Sequence, residues 1–112
     1  QYYDANGKPV WPENDGFDGS PYTKKLEPGT RVDRYGLDDG KFVAPYETSF
    51  EERSLPRGYE NKPYSIFEVA EELEVLTGKT APWFGRKGGG IQYKLMDSIE
   101  DLLNKNIIRR IN

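Results

Sequence analysis

The sequence contains no cysteine and no histidine. Without cysteine the chain has no disulfide bonds and no thiol nucleophile, and without either residue it lacks the commonest zinc ligands. The absence of histidine also removes the imidazole that many enzymes use as a general base. These two absences exclude enzymes that need a cysteine nucleophile or a histidine base, and they predict a site without a metal ion.

Basic charge and long apolar runs are also lacking. The net charge of −3 and the pI near 5.0 disfavour nucleic-acid and anionic-membrane partners, because both require a basic surface. The sequence shows no signal peptide, no apolar run of membrane-spanning length and no initiator Met. We therefore expect a domain excised from a larger protein, with no nucleic-acid partner and no membrane.

Turn-forming and aromatic residues, in contrast, are plentiful. The 112 residues include 12 Gly and 8 Pro, together with eight Tyr, five Phe and two Trp. This composition is typical of a loop-rich, β-containing fold with a thin core built largely from rings. The length suits a single domain spanning residues 1–112.

Short hydrophobic segments separated by turn residues predict a small, mostly antiparallel β-sheet. We expect an irregular N-terminal arm over residues 1–29, and a sheet core with one helix over residues 30–112. A capping box formed by Asp97 and Glu100 predicts that helix over Asp97–Lys105. The predicted strands are Thr30–Tyr35 and Lys41–Ala44, which form a hairpin, followed by Tyr64–Val69, Leu73–Leu76, Ile91–Leu95 and Ile107–Ile111. The predicted fold class is therefore α+β.

Two arginines are candidates for binding an anion. Strand alternation sends Arg34 to one face and its neighbours Asp33 and Tyr35 to the other, so Arg34 does not simply pair with Asp33. Arg53 lies between two apolar anchors just before a turn. Together they offer the pair of guanidinium groups that a diphosphate requires. Exposed or structurally paired arginines are the alternative interpretation.

A glycine run and a glutamine form the second candidate feature. Gly88, Gly89 and Gly90 precede a predicted strand, and bare N–H groups in such a run suit phosphate or carbonyl oxygens. In that strand Gln92 lies on the more polar face, where its amide is suited to orienting a sugar hydroxyl or a water. A flexible turn is the alternative interpretation of the glycines.

Taken in order, five motifs resemble the tuberculosis necrotizing toxin (TNT) domain family. They are Trp11–Phe17 (WPENDGF), Pro28–Gly36 (PGTRVDRYG), Arg53–Pro56 (RSLP), Ala81–Gly85 (APWFG) and Gly88–Tyr93 (GGGIQY). The ordered set spans nearly the whole chain, which makes the resemblance specific. It implies NAD(P) glycohydrolase activity on a small antiparallel sheet, usually at the C-terminus of a secreted polymorphic toxin that has a cognate immunity protein.

The resemblance also implies roles for individual residues. Matched motif by motif, the family's catalytic residues fall on Arg34, Arg53 and Gln92. The expected substrate-binding residues are Tyr35, Phe84, Arg86, Gly88, Gly89 and Gly90. The implied protein is a monomeric, antibacterial secreted effector that acts in the cytoplasm of a target cell, with NAD or NADP as substrate and no cofactor.

The implied reaction fits the missing residue types. Nicotinamide leaves a cationic ring as a neutral molecule, so its departure needs no general acid. The oxocarbenium-like transition state requires the protein to hold the diphosphate, distort the ribose and position water.

Three features depart from the family pattern. Arg86-Lys87 stands where the family often has Gln-Pro, and this adds positive charge suited to a phosphate-bearing ligand or an acidic immunity protein. Glu47-Thr48 stands where a Gly-Thr pair is common, which alters the expected conformation of that loop. Some relatives also use a histidine, and its role has no counterpart here.

Other functions remain open at this point. Glu72-Leu73-Glu74 has the Glu-x-Glu spacing of ADP-ribosyltransferases, although it also fits two solvent-facing carboxylates around a buried Leu. A non-catalytic nucleotide-binding module is a further alternative, because a fold does not guarantee activity. A nuclease toxin is disfavoured by the lack of histidine and of a basic surface.

Overall fold

The computed structural model describes all of residues 1–112 and contains one seven-stranded sheet. Its strands are β1 (Tyr22–Leu26), β2 (Arg31–Tyr35), β3 (Phe42–Pro45), β4 (Tyr64–Val69), β5 (Leu73–Lys79), β6 (Ile91–Leu95) and β7 (Ile108–Arg110). All pairings are antiparallel, in the order β1-β5-β6-β3-β2-β4-β7. One α-helix, α1 (Ile99–Asn104), and three short 3-10 turns complete the fold. The predicted α+β class is confirmed, and none of the helices has the length and apolar character needed to cross a membrane.

One face of the sheet packs against α1 and carries the core. Burial alternates along β4, β5 and β6, so every second side chain, such as Phe67 and Val75, points into this core. Ile99 and Leu102 of α1 close it, and both are almost completely buried. The cluster comprises Leu26, Val32, Val43, Phe67, Val69, Leu73, Val75, Tyr93, Leu95, Ile99, Leu102 and Ile108. Burying each of these large side chains contributes about 1.5–3 kcal/mol.

The opposite face of the sheet carries polar side chains. Phe42 pairs with Lys94, so strand alternation places Phe42 and Gln92 on the same face. Asp33 pairs with Ala44, two residues along β3 from Phe42, and therefore belongs to this face as well. The hydrophobic core therefore lies on one face of the sheet, and the opposite, polar face is available for a functional site.

The N-terminal arm is tied to one end of this polar face. Phe17 is 3% exposed, forms a backbone bridge with Thr80, and packs on Gly78. A Cβ at Gly78 would lie 3.1 Å from the Phe17 ring, so the close approach depends on glycine. Earlier in the arm, the Val10 carbonyl accepts a hydrogen bond from the Trp83 Nε1–H at 2.7 Å. The arm is therefore an ordered wall.

The prediction that residues 1–29 are irregular is wrong for one segment. Tyr22–Leu26 forms β1 and pairs along its full length with β5. Only Leu26 of this strand is buried, so its sequence lacks the alternation that marks a strand. Lys24 and Lys25 are exposed on this sheet edge, where lysines discourage pairing with another chain.

The C-terminal elements are shorter than predicted. The Ser98 hydroxyl accepts a hydrogen bond from the Asp101 N–H at 3.1 Å, so the N-cap is Ser98 and not Asp97. The helix is Ile99–Asn104, within the predicted Asp97–Lys105.

Other boundaries shift by a few residues. The predicted strand Leu73–Leu76 extends to Lys79, because β6 continues to pair with it as far as Lys79 and Ile91. The last strand is Ile108–Arg110, within the predicted Ile107–Ile111.

Candidate active site

A cleft of about 540 Å³ opens where the N-terminal arm meets the polar face of the sheet. Small-molecule sites in proteins typically measure about 300–1,000 Å³. Arg34, Arg53 and Gln92 all line this cleft. They also line a recess of about 50 Å³ at its floor, whose wall reaches the buried Val43 and Ala44. The three side chains that the sequence singles out therefore meet in one place.

Arg53 is fixed by a buried carboxylate. Its Nη2 lies 2.6 Å from Asp33 Oδ1, as an ion pair without an aligned hydrogen bond, and its Nε and Nη2 donate to the Thr48 carbonyl at 3.1 and 2.8 Å. Asp33 is fully buried and also accepts from the Tyr64 hydroxyl at 2.6 Å and the Glu47 N–H at 3.0 Å. Burial, and then the hydrogen bond that the Tyr64 hydroxyl donates to Asp33, raise the pKa of Tyr64 above that of a free tyrosine. Arg53 Nη1 has no protein partner and is free to bind a ligand.

Tyr35 supports Arg53 from within the cleft wall. The Arg53 guanidinium carbon lies 5.0 Å from the centre of the Tyr35 ring, which is cation–π range. The ring is itself wedged between Phe50, edge-on at 5.2 Å, and Tyr64 at 4.9 Å. Tyr35 lines the cleft, as expected of a substrate-binding residue, and it also restricts the orientation of the arginine.

Arg34 reaches the cleft through the loop between β2 and β3. Its Nε donates to the Leu37 carbonyl at 2.9 Å and its Nη1 to the Phe42 carbonyl at 3.0 Å, while Nη2 has no protein partner. Gly36 and Gly40 lie against the guanidinium, and a Cβ at Gly40 would be 2.0 Å from Nη2. Burial lowers the pKa of Arg34, although the group stays charged at physiological pH.

Gln92 is held by the N-terminal arm. Its Nε2 donates to the Asp15 carbonyl at 3.0 Å, and Asp15 Oδ2 in turn lies 2.8 Å from Lys94 Nζ. A carbonyl only accepts hydrogen bonds, so this contact fixes which end of the Gln92 amide is nitrogen. The Gln92 Oε1 is the amide atom left to accept a hydrogen bond from a ligand in the cleft.

The predicted role of the glycine run is not supported. The N–H groups of Gly88, Gly89 and Gly90 donate to the carbonyls of Glu51, Thr80 and Glu52 at 3.2, 2.9 and 3.2 Å, so they are not bare. None of the three glycines lines the cleft. A Cβ at Gly88 or Gly90 would lie 2.9 Å from neighbouring backbone atoms. Glycine is needed there because two segments pack closely together.

Arg86 and Phe84 also lie outside the cleft. The Arg86 guanidinium contacts Glu51 at 3.3 Å, donates to the Leu55 carbonyl at 3.2 Å and lies over the Phe50 ring. Its charge is therefore largely neutralised within the chain, and the expectation that it binds substrate has no support in the geometry. Phe84 is 8% exposed and packs among the rings of the arm, so no contact with the cleft supports the expectation that it binds substrate.

The acidic motif of the transferase alternative lies elsewhere. Glu72 pairs with Lys25 at 3.8 Å, and Glu74 is exposed on β5 opposite the same edge strand. Neither carboxylate lines the cleft. The two residues flank the buried Leu73, as an ordinary strand would place them.

Three residues of the site escape prediction from sequence. Asp33 is the buried partner of Arg53, and an acidic residue amid β-branched and aromatic strand residues was the available signal. Trp11 and Tyr59 line the outer cleft. A tryptophan within a turn-rich stretch, Trp11-Pro12-Glu13-Asn14, was the signal for the first, and nothing distinguished Tyr59 from the other tyrosines.

The fold and the cleft together define a class: a small α+β domain that presents two fixed guanidinium groups and one amide oxygen in a single cleft. A sequence model of the tuberculosis necrotizing toxin family matches residues 25–111. The chain belongs to this family.

Two relatives extend this comparison. The chain is 31% identical over 120 residues to the conidial surface nicotinamide adenine dinucleotide glycohydrolase nadA of Aspergillus fumigatus, covering 96% of this chain and 51% of that protein. It is 28% identical over 95 residues to the outer membrane channel protein CpnT of Mycobacterium tuberculosis, covering 73% of this chain and 11% of that protein. The chain thus spans only part of either relative.

Solved structures share the fold. Tuberculosis necrotizing toxin, complexed with its immunity factor IFT, superposes with a TM-score of 0.74 at 22% identity, covering 96% of this chain and 74% of that one. Rhs1-CT, in complex with its cognate immunity protein RhsI1, superposes with a TM-score of 0.65 at 21% identity, covering 91% of this chain and 84% of that one. Tse6, in complex with Tsi6, superposes with a TM-score of 0.60 at 18% identity, covering 92% of this chain and 85% of that one.

Proposed function

We propose that this chain is an NAD(P)+ glycohydrolase domain that cleaves the nicotinamide–ribose bond to give nicotinamide and ADP-ribose. The observation that carries the proposal is the convergence of Arg34, Arg53 and the Gln92 amide oxygen on one cleft. Membership of the toxin family supports it, as does the similarity to the Aspergillus relative, which is named as a nicotinamide adenine dinucleotide glycohydrolase.

In the proposed reaction, water adds to C1′ of the ribose as the C–N bond breaks. The bonding electron pair returns to the pyridinium nitrogen, nicotinamide leaves neutral, and the proton of the attacking water passes to solvent. Arg34 and Arg53 hold the diphosphate through the N–H groups that the protein leaves unpaired. Gln92 Oε1 accepts a hydrogen bond from a ribose hydroxyl or from the attacking water. The reaction as written uses no cofactor.

We further propose that the domain is the toxic part of a larger secreted effector. It would act as a monomer that depletes NAD in the cytoplasm of a target cell, with a cognate immunity protein as its partner. The chain covers about half of one relative and about a tenth of another, and the structural neighbours were solved with immunity proteins. Co-purification with a co-expressed neighbouring gene product tests the partner.

The activity is tested by mixing the purified domain with NAD and following nicotinamide and ADP-ribose by chromatography. We expect the two products in equal amounts, with or without EDTA. Binding of NAD without nicotinamide release would favour the non-catalytic module, and ADP-ribose attached to an acceptor protein would favour the transferase. Arg34→Ala should raise KM and lower turnover, whereas Arg109→Ala, an exposed arginine on β7 outside the cleft, should leave both unchanged.

A further inference from the structure

Trp11 exposes 52% of its surface at the outer part of the cleft. This exposure is fixed by the surroundings of the ring. The preceding carbonyl, of Val10, accepts a hydrogen bond from Trp83 Nε1 at 2.7 Å, and the Phe84 ring lies 5.4 Å from the indole. A large apolar ring is thus held in contact with solvent beside the arginines.

No ring of the chain stacks in parallel on this indole. Phe84 crosses it at 86° and Tyr59 at 73°, with the Tyr59 centroid 5.9 Å away. Tyr59 also lines the cleft, so the two aromatic residues form one wall of it. Planar heterocycles stack on tryptophan through their π-faces, largely without regard to which base they are.

The location of this wall decides which heterocycle it receives. The recess at the floor of the cleft is lined by Arg34, Arg53 and Gln92, but by neither Trp11 nor Tyr59. In the proposed reaction the nicotinamide riboside must lie beside Gln92. The two ring systems of a dinucleotide lie on opposite sides of its diphosphate, so the outer wall is left for the second ring.

We infer that Trp11, with Tyr59 beside it, is the subsite for the adenine ring of NAD(P). The inference rests on the proposed function for its choice of ligand. The aromatic wall would supply affinity for the adenosine half, and the arginines and Gln92 would act on the diphosphate and the reacting ribose.

A binding experiment tests the subsite without any turnover. The chain has two Trp residues, so the fluorescence of Trp11 is taken as the difference between the wild type and Trp11→Phe, a variant that keeps Trp83 and its bond to Val10. Titration with ADP should quench the Trp11 fluorescence in a saturable manner, whereas inorganic pyrophosphate, which lacks a base, should not. Saturable binding of ADP by calorimetry with no change in the Trp11 emission would overturn the inference. Absence of ADP binding would overturn it too.

Kinetics separate the adenine end from the nicotinamide end. Trp11→Ala should raise KM for NAD roughly tenfold, the usual scale for removing one stacked base, with kcat nearly unchanged. Nicotinamide mononucleotide, which lacks the adenosine half, should be cleaved equally well by the variant and the wild type. Trp11→Phe should retain most of the affinity, because it keeps a stacking face.

Tyr22→Ala is the matched control, since Tyr22 is 63% exposed on β1 and lies outside the cleft. Equal losses of Trp11→Ala on NAD and on the mononucleotide would place the nicotinamide end at Trp11 and refute the assignment. An unchanged KM for NAD would do the same. If the wild-type domain releases no nicotinamide from NAD, the proposed function fails, and the ADP titration still decides the subsite.

Discussion

Replacing Gly40 by alanine places a methyl group inside the volume that the Arg34 guanidinium occupies. An ideal Cβ at this position lies 2.0 Å from Arg34 Nη2 and 2.4 Å from Cζ. Gly40 is outside the left-handed region of φ, so alanine adds no backbone strain of its own. The effect of the substitution therefore acts through the arginine side chain.

The size of the effect follows from these distances. Ordinary contacts begin at 3.4 Å, so the guanidinium must retreat by about 1.4 Å. Such a shift stretches its 2.9 and 3.0 Å bonds to the Leu37 and Phe42 carbonyls beyond hydrogen-bonding range. A displacement of about 1 Å in a substrate-positioning group can lower the rate ~100-fold. We expect kcat/KM for NAD to fall about that much, and the free energy of unfolding to fall by about 1–2 kcal/mol.

Steady-state nicotinamide release and thermal unfolding of Gly40→Ala measure the two effects. Gly29→Ala is the control: Gly29 has a φ of 93° and no atoms within 4 Å of its ideal Cβ, so alanine costs stability there without touching Arg34. In an Arg34→Ala background, Gly40→Ala should have little further effect. Wild-type activity of Gly40→Ala, or an equal loss in the Arg34→Ala background, would refute the reasoning.

Four other substitutions test the rest of the site. Gln92→Ala should lower kcat roughly 100-fold with little change in Tm, and wild-type rates in the folded variant would contradict its assignment. Lys94→Gln, which breaks the contact to the loop that holds Gln92, should lower kcat up to about fivefold, and less so in high salt; an unchanged kcat at low salt would count against it. Asp33→Asn should lower the free energy of unfolding by about 3 kcal/mol in chemical denaturation, because it leaves the Arg53 charge buried without its partner. Glu47→Gly should raise that free energy by up to about 1 kcal/mol, since Glu47 has a φ of 70°, and a lower midpoint would rule this out.

Sequence patterns predict the fold where local and tertiary preferences agree. Tyr64–Val69 and Ile91–Leu95 match their predicted bounds, because both alternate between a buried and a more exposed face. Tyr22–Leu26 could not be found in this way. Four of its five side chains are exposed, and it is a strand because β5 pairs with it. That pairing is a tertiary contact with no local signature.

The site divides along the same line. Arg34, Arg53 and Gln92 can be chosen by residue type and local motif, but the contacts of their neighbours depend on which segments the fold brings together. The N–H groups of Gly88–Gly90 look free in the sequence, but those of Gly88 and Gly90 bond to the segment that carries Arg53, and that of Gly89 bonds to Thr80. The one-residue offset between Asp33 and Arg34 is likewise visible, whereas the pairing of Asp33 with Arg53 is not.

The buried carboxylate that pairs with Arg53 has a practical consequence for the design of a variant that lacks the proposed activity. Removing Arg53 leaves the fully buried Asp33 carboxylate without its charged partner, which should lower the free energy of unfolding by about 3–5 kcal/mol. A variant at position 53 would therefore lose stability as well as activity. Gln92 makes a single hydrogen bond to the protein and can be truncated with far less disturbance. An inactive protein intended for raising antibodies or capturing an inhibitor is therefore better built at position 92.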